Sequence, residues 1–226
     1  MKKIRAVLFD AGGTLIHVDG QRVCGAAGLP YDSSAFQVAE ASAVATVRAW
    51  VLENPGSKDL ERLPLYLDTM LKDLGLSSEP ERRAAARRVA AEHHRANLWS
   101  RRADEAAETL EALRGRGYRL AVVSNADGRV RHLLESAGLA SLLEFILDSA
   151  EVGVEKPDPR IFHAATEWLG LSPSACAYVG DIYEIDIAGA KRAGLEPVLL
   201  GSSPAPEPVL RIPDLPSLLS LFPGFA

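Results

Sequence analysis

The chain has 226 residues, of which 47% are hydrophobic, and its formal net charge at pH 7 is −5. This length and composition suit one sizeable domain, or a domain with an inserted lobe, and argue against intrinsic disorder. The negative charge gives no sign of nucleic-acid binding. The cysteines, Cys24 and Cys176, lie far apart without metal-ligand neighbours. We therefore expect neither a disulfide framework nor a zinc site, and a reducing compartment.

The N-terminal residues 1–3 lead into an apolar run that is too short for a signal peptide. No later stretch is long and apolar enough to predict a membrane span. We therefore expect a cytoplasmic protein that binds neither membranes nor nucleic acid. The sequence leaves the oligomeric state open.

In chain order, the first predicted element is a buried strand that runs from Ile4 to Phe9 and ends at Asp10. The double glycine Gly12-Gly13 follows and indicates a tight turn. From about residue 19 to 99 the apolar spacing is helical, with helices predicted over 34–53, 58–74 and 79–99.

After residue 100, predicted strands alternate with predicted helices. The helices are expected over 104–114, 128–136, 159–169 and 185–193, and the strands over 118–123, 143–147, 175–179 and 197–200. Asp214 is a candidate cap for a short last helix, and residues 201–226 are expected to pack on the core. This alternation indicates βαβ units and a mainly parallel sheet. We therefore predict an α/β fold with a doubly wound core, residues 1–18 and 100–226, and an inserted helical lobe, residues 19–99.

Polar residues follow the ends of several predicted strands or begin the loops beyond them. They are Asp10, Ser124, Asn125, Lys156, Asp181 and Asp186. In an open α/β sheet, ligands bind at the carboxyl ends of the strands, so we expect these residues to converge. Each has an ordinary explanation alone, as a turn, a surface loop or a helix cap, but their joint occurrence indicates a site.

The residue types suggest phosphate chemistry. Asp10 is a carboxylate that can attack phosphorus and become an aspartyl phosphate. The glycines beside it and the backbone N–H groups after Ser124 can approach phosphate oxygens closely. Lys156 can hold both the nucleophile and the phosphate. Asp10 and Asp181 offer the hard oxygen ligands that Mg²⁺ prefers.

The residues 9–15, 123–125, 155–159 and 179–181, with Asp186 in a Gly-Asp-x-x-x-x-Asp pattern, resemble the four motifs of the haloacid dehalogenase-like (HAD) hydrolase superfamily. The helical lobe resembles the cap of its C1-capped members. Residues 122–125 and 155–162 are similar to the branch known as the haloacid dehalogenase-like domain-containing protein 3 group.

The resemblance implies a Rossmann-like core, a cap that closes over a small phosphorylated substrate, and a Mg²⁺ cofactor. It implies Asp10 as the nucleophile, with Ser124 and Lys156 as catalytic positioning residues. Phosphate-binding residues would be Gly12, Gly13, Ser124, Asn125 and Lys156. The metal site would comprise Asp10, the Gly12 carbonyl and Asp181, with Asp186 acting through Lys156 or a metal-bound water.

One position departs from the family pattern. Phosphatases of this family carry a second Asp two residues after the nucleophile, as general acid and base, and here that residue is Gly12. One hypothesis is a slow phosphatase, or one with a substitute acid such as His17, Asp19, His93 or His94. Acyl or aryl phosphates would then be favoured, because their leaving groups need little protonation.

Two other hypotheses remain open. One is another HAD chemistry. Dehalogenases of the family lack a Gly-Asp pair such as Gly180-Asp181, and phosphonatases need a lysine from the cap, for which the lobe offers only Lys58 and Lys72. Alternatively, the chain can be a weak or inactive member that binds a phosphorylated ligand or a partner protein. The sequence does not identify the substrate.

Overall fold

The computed structural model describes residues 4–54 and 56–224. The expectations for residues 1–3, for Pro55 in the break between two helices and for residues 225–226 lie outside these ranges. The chain divides into two compact units. The first unit is 1–17 with 101–226, and the second unit is 18–100. Within the described ranges, no helix combines the length and the apolar character that crossing a membrane requires.

The strands are short and mostly buried. In chain order they are β1 (Ala6–Phe9), β2 (Ile16–Val18), β3 (Trp99–Arg102), β4 (Arg119–Ser124), β5 (Phe145–Asp148), β6 (Cys176–Gly180), β7 (Glu196–Leu200) and β8 (Leu210–Ile212). Among the described residues, six form one sheet in the order β5-β4-β1-β6-β7-β8, and its strand pairs are parallel. The predicted α/β fold with a parallel sheet is thus confirmed.

Helices follow most of these strands. They are α1 (Gly20–Ala27), α2 (Ser33–Glu53), α3 (Asp59–Asp73), α4 (Glu79–Ala96), α5 (Ala106–Gly115), α6 (Val130–Ser136), α7 (Ser149–Val152), α8 (Pro159–Trp168), α9 (Ala188–Arg192) and α10 (Leu218–Leu221). Shorter 3₁₀ turns occupy Ala140–Leu142, Pro173–Ala175 and Leu215–Ser217, and a π-helical turn occupies Tyr183–Ile187.

The predicted helix over 79–99 is wrong at its end. The helix stops at Ala96, and Trp99 begins strand β3. Asn97 has a positive φ of 24°, which ends the helical backbone, and its Oδ1 accepts the N–H of Trp99 at 2.9 Å. The elements β2, α1, α7 and β8 were not predicted. The predicted helix over 185–193 begins earlier, as the π-helical turn.

The sheet is apolar on both faces, which is typical of parallel sheets. One face packs against α8 and α9, where Ile161, Phe162 and Ala190 are fully buried. The tail packs on the same unit, since Phe222 lies against Tyr118 with ring centroids 5.5 Å apart. Asp214 accepts the N–H of Ser217, as predicted for a cap.

The register brings the predicted site residues to one edge of the sheet. Phe9, the last residue of β1, pairs with Val122 on β4 and with Val179 on β6. Asp10 is therefore level with Val123 on β4 and Gly180 on β6, each one residue before a predicted site residue, Ser124 or Asp181. Asp10 lies between the ends of its two neighbouring strands.

The second unit is helical apart from the strand residues at its ends. Helix α2 packs against α3, and α4 packs against both α1 and α3. Its core includes Phe36, Val47, Met70 and Val89. Whether this unit acts as a cap stays a prediction.

Candidate functional site

Asp10 is held in place by both its backbone and its carboxylate. Its N–H donates to the carbonyl of Val179 at 2.8 Å. Its Oδ1 accepts the N–H of Ala11 at 2.7 Å and Nζ of Lys156 at 2.8 Å. Burial raises the pKa of Asp10 to about 6, although Lys156 opposes the rise. No hydrogen bond from the described part of the chain reaches its other oxygen, Oδ2.

The ammonium of Lys156 has three close acceptors. They are Oδ1 of Asp10 at 2.8 Å, Oδ1 of Asp186 at 2.7 Å and the hydroxyl of Tyr178 at 2.8 Å. Burial alone would lower the pKa of this lysine, but the two carboxylates outweigh it and the net shift is upward. Lys156 is therefore a charged group inside the protein, with its three N–H donors engaged.

The backbone of Lys156 is fixed by Asn125. The lysine N–H donates to Oδ1 of Asn125 at 2.7 Å, and Nδ2 of Asn125 donates to the lysine carbonyl at 2.9 Å. Both ends of the Asn125 amide are thus used for Lys156. The Asn125 side chain is therefore occupied, and the predicted contact with phosphate stays a prediction that concerns the backbone N–H of Asn125.

Three carboxylates form a compact cluster. Each of Asp10, Asp181 and Asp186 offers an oxygen, and these oxygens lie within 4.8 Å of one another. Oδ1 of Asp181 is buried without a hydrogen-bond partner among the described residues. Burial, together with the charges of Asp186 and Asp10, raises the pKa of Asp181 well above its usual range. A cluster of this kind favours a cation, and its oxygen donors fit Mg²⁺.

Two glycines make room for this cluster. Gly13 has a φ of 77°, and a Cβ there would lie 2.7 Å from Cγ of Asp181. A Cβ on Gly180 would lie 2.5 Å from Cβ of Asp186. The N–H of Gly13 donates to the carbonyl of Ile16 at 2.8 Å, so the observed contribution of Gly13 is space for Asp181. Gly12, beside it, forms an isolated bridge with Ile16.

Asp186 enters the cluster from the π-helical turn. Its Oδ2 accepts the N–H of Ile182 at 3.0 Å, while its Oδ1 accepts from Lys156. The side chain is 1% exposed. π-helical turns occur frequently at functional sites, and this one carries Asp186.

Ser124 ends β4 and is 3% exposed, and its hydroxyl lies 3.5 Å from the carbonyl of Asn125. The loop after it is held by residues that sequence reasoning missed. Oγ of Ser149 accepts the N–H of Ala126 at 3.1 Å, and buried Asp148 accepts the N–H of Gly128 at 3.0 Å. Asp148 is the last residue of β5, the strand beside β4. Its position at the end of a strand was the signal in the sequence that could have identified it.

The candidate substitute acids have local roles. His17 lies on β2, where burial and the charge of Arg101 lower its pKa, which favours the neutral ring. Asp19 accepts the N–H of Arg22 at the start of α1. Nδ1 of His93 accepts the N–H of Leu98 at 3.3 Å. His94 shares the last turn of α4 with His93. These contacts give none of the four a defined catalytic role.

Comparisons with known proteins agree with the resemblance seen in the sequence. The profile of the haloacid dehalogenase-like hydrolases matches residues 4–194. Haloacid dehalogenase-like hydrolase domain-containing protein 3 of Bos taurus is 41% identical over 121 residues, which cover 51% of this chain and 48% of that protein. Glyceraldehyde 3-phosphate phosphatase of Methanopyrus kandleri is 36% identical over 133 residues, which cover 58% of this chain and 56% of that protein.

The chain thus spans about half the length of the curated relatives that it matches. Among solved structures, the HAD-hydrolase YfnB of Bacillus subtilis superposes with a TM-score of 0.72 at 20% identity, covering 97% of this chain and 99% of that one. A dehalogenase superposes with a TM-score of 0.69 at 23% identity, covering 98% of each chain. At these identities the likeness shows the fold.

Proposed function

The chain belongs to the haloacid dehalogenase-like hydrolase family, and from this premise we propose that it is a Mg²⁺-dependent phosphatase that hydrolyses a small phosphorylated metabolite through Asp10. One observation carries the proposal. The Asp10 carboxylate is fixed by a buried ammonium and lies beside two further carboxylates. Relatives named as phosphatases, such as the phosphoserine phosphatase of Thermus thermophilus, support the same chemistry.

The acidic cluster suits the cofactor. Asp10, Asp181 and the carbonyl of Gly12 would hold Mg²⁺, with Asp186 beside them. When bound, the ion would supply positive charge that offsets the repulsion between an anionic nucleophile and an anionic phosphate. Oδ1 of Asp181, which is buried and accepts no hydrogen bond from the described residues, supports this assignment.

Asp10 would act as the nucleophile in two steps. In the first, a carboxylate oxygen forms a bond to phosphorus while the bond from phosphorus to the leaving oxygen breaks, and the leaving oxygen keeps the electron pair. In the second, water attacks the aspartyl phosphate at phosphorus, which releases inorganic phosphate and restores the carboxylate. Because Lys156 and Ala11 both donate to Oδ1, Oδ2 is the oxygen better placed for attack.

Lys156 would hold the nucleophile and contribute charge. Its three N–H donors are engaged by Asp10, Asp186 and Tyr178, so it would act on a bound phosphate chiefly through its positive charge. Ser124 and the backbone N–H of Asn125 would contact the phosphate oxygens. Such catalysis rests on positioning and electrostatic stabilisation.

Gly12 restricts the leaving groups that the proposed enzyme could release quickly. It has no side chain to protonate the leaving oxygen, and general acid–base help typically contributes about 10²–10⁴-fold. The proposed enzyme would therefore prefer phosphates with stable leaving groups, such as acyl or aryl phosphates, over sugar phosphates.

Gly12 also favours a second candidate function. A member that binds Mg²⁺ and a phosphorylated ligand or partner with little turnover would keep the cluster and lack the acid. The same cluster argues against a metal-free dehalogenase, because three close carboxylates would then repel one another and, among the described residues, Lys156 is the lysine that pairs with them. A phosphonatase would need a reactive lysine from the second unit, where Lys58 and Lys72 lie at the two ends of α3.

The test is phosphate release with and without Mg²⁺ from p-nitrophenyl phosphate and acetyl phosphate, each compared with a sugar phosphate. Asp10→Asn is the control variant. The phosphatase proposal predicts Mg²⁺-dependent release that is faster for the activated phosphates and absent in the variant. Mg²⁺-dependent binding of inorganic phosphate, without release from any of these substrates, would instead support the binding function.

A further inference from the structure

Tyr178 places a polar hydroxyl in the buried interior of the sheet. It lies in the middle of β6, between Leu8 on β1 and Pro197 on β7, and its side chain is fully buried. The other residues of that strand are Cys176, Ala177, Val179 and Gly180. A buried hydroxyl is costly unless it is hydrogen-bonded, so a phenylalanine would fit this environment with less demand on its neighbours.

Both capacities of the Tyr178 hydroxyl are used. It donates to the carbonyl of Val123 at 2.7 Å and accepts from Nζ of Lys156 at 2.8 Å. The ring is fixed as well, because it meets Phe162 edge to face with centroids 4.9 Å apart. The hydroxyl therefore occupies a defined point between the end of β4 and the lysine.

This contact completes the surroundings of the Lys156 ammonium. Asp10 and Asp186 both attract the ammonium by charge, and neither alone fixes its place between them. The third acceptor, the hydroxyl of Tyr178, is neutral and is held by strand β6. It links the lysine to Val123, the residue before Ser124, so three parts of the site share one hydrogen-bonded chain.

We propose that Tyr178 is a positioning residue that holds the Lys156 ammonium at the nucleophile Asp10. The inference rests on the proposed function in taking Asp10 as the nucleophile. Tyr178 does not touch the reacting atoms, and it acts through Lys156. Without the hydroxyl, one N–H of the ammonium and the Val123 carbonyl lose their partner, and the lysine shifts toward Asp186.

The variant Tyr178→Phe removes the hydroxyl and keeps the ring. Tyr118→Phe is the matched control, because Tyr118 is a buried tyrosine of the same unit that precedes β4, at the end of the sheet away from Asp10. We expect Tyr178→Phe to lower kcat about 10- to 100-fold while KM changes less than about twofold, since the loss affects the transition state. Tyr118→Phe should leave both constants at their wild-type values.

Crystal structures of the wild type and Tyr178→Phe provide a readout without turnover. The distance between Nζ of Lys156 and Oδ1 of Asp10 should lengthen by more than about 0.5 Å, the tolerance of a productive site. An unmoved lysine, a wild-type kcat, or equal losses in the two variants would overturn the role of Tyr178. A wild type that releases no phosphate would refute the proposed function, while the crystal structures would still decide whether Tyr178 positions Lys156.

Discussion

Nζ of Lys156 lies 2.8 Å from Oδ1 of Asp10, and the lysine side chain is 1% exposed. A fully buried ammonium is unfavourable by itself, and here it is stabilised by the carboxylates around it. The lysine in turn makes it possible to bury Asp10 and Asp186 so close together. We therefore expect the stability of the first unit and the proposed reactivity of Asp10 to depend on the same ion pair.

Lys156→Met should be both inactive and unstable. Removing the ammonium leaves two buried carboxylates without compensation, a change that typically costs about 3–5 kcal/mol of unfolding free energy. Urea unfolding followed by circular dichroism measures the loss. Lys191→Met is the matched control, because Lys191 is 54% exposed and pairs with Glu207 at the surface. Similar midpoints for the two variants would contradict a stabilising role of Lys156.

Without metal, Asp181→Asn should raise the melting temperature. The Asp181 carboxylate is disfavoured by burial and by the charges of Asp186 and Asp10, and the neutral amide removes that repulsion. With Mg²⁺ the wild type should melt at the higher temperature instead. Binding adds about 2.7 kcal/mol to its free energy of unfolding when the Mg²⁺ concentration is a hundred times Kd. Thermal unfolding of both proteins with Mg²⁺ or with EDTA makes the comparison. A variant that melts lower in EDTA, or gains as much from Mg²⁺ as the wild type, would argue against the metal site.

The stabilisation by Mg²⁺ should grow with pH. The pKa of Asp10 rises from 3.8 to about 6 on folding, so the metal-free folded protein holds a proton that the unfolded chain has lost in this interval. That proton favours folding below about pH 4, and its contribution is lost as the pH rises through about 6. Because Mg²⁺ needs the ionised carboxylate, its effect on the melting temperature should be larger at pH 8 than at pH 5. An effect that is the same at both pH values would contradict this prediction.

Glu92→Gln should destabilise the second unit, and the size of this effect should depend on pH. Glu92 on α4 accepts from Arg95 and, at 2.7 Å, from Arg22 on α1, and these bonds lower its pKa to about 2. A lowered pKa means that the stabilisation is present above about pH 4.5 and disappears as the pH falls toward 2. The difference in melting temperature between wild type and variant should therefore shrink from pH 7 to pH 3. Glu79→Gln, on the exposed pair with Arg83, should change little at either pH.

The convergence of several candidate site residues could be predicted, because those residues follow the ends of strands. Asp10, Ser124 and Asp181 follow apolar runs directly, and the topology of a parallel sheet is sufficient to bring such residues together. The contacts of Tyr178 were missed because they depend on which residue of β6 faces Val123 and Lys156, which register and packing decide. The hydrogen bonds from Asn125 to Lys156 were missed for the same reason, since 31 residues separate the two in sequence.

The errors in the secondary structure have similar causes. The composition of α4, rich in Ala, Arg and Glu, favours a helix without marking its end, and the break comes from one Asn with positive φ. Strand β8 has little apolar pattern, with two exposed residues out of three, and forms because β7 offers an edge. In both places the tertiary structure decides what the local sequence leaves open.

Gly12→Asp should increase phosphatase activity. If only the missing acid limits turnover, a carboxyl group at position 12 would protonate the leaving oxygen and later activate water. The rate with a sugar phosphate should then rise by up to about 10²–10⁴-fold, the usual contribution of acid–base catalysis. The rate with acetyl phosphate should change much less, because its leaving group needs little protonation. Steady-state phosphate release from both substrates measures the difference.

The double variant Asp10→Asn/Gly12→Asp is the control, because any activity that the new carboxylate creates by itself would persist in it. A gain that depends on Asp10 and is selective for the sugar phosphate would show that the missing acid at Gly12 limits turnover. A folded Gly12→Asp protein that still binds Mg²⁺ and shows no gain would place the limitation elsewhere. The binding function would then be favoured over the phosphatase.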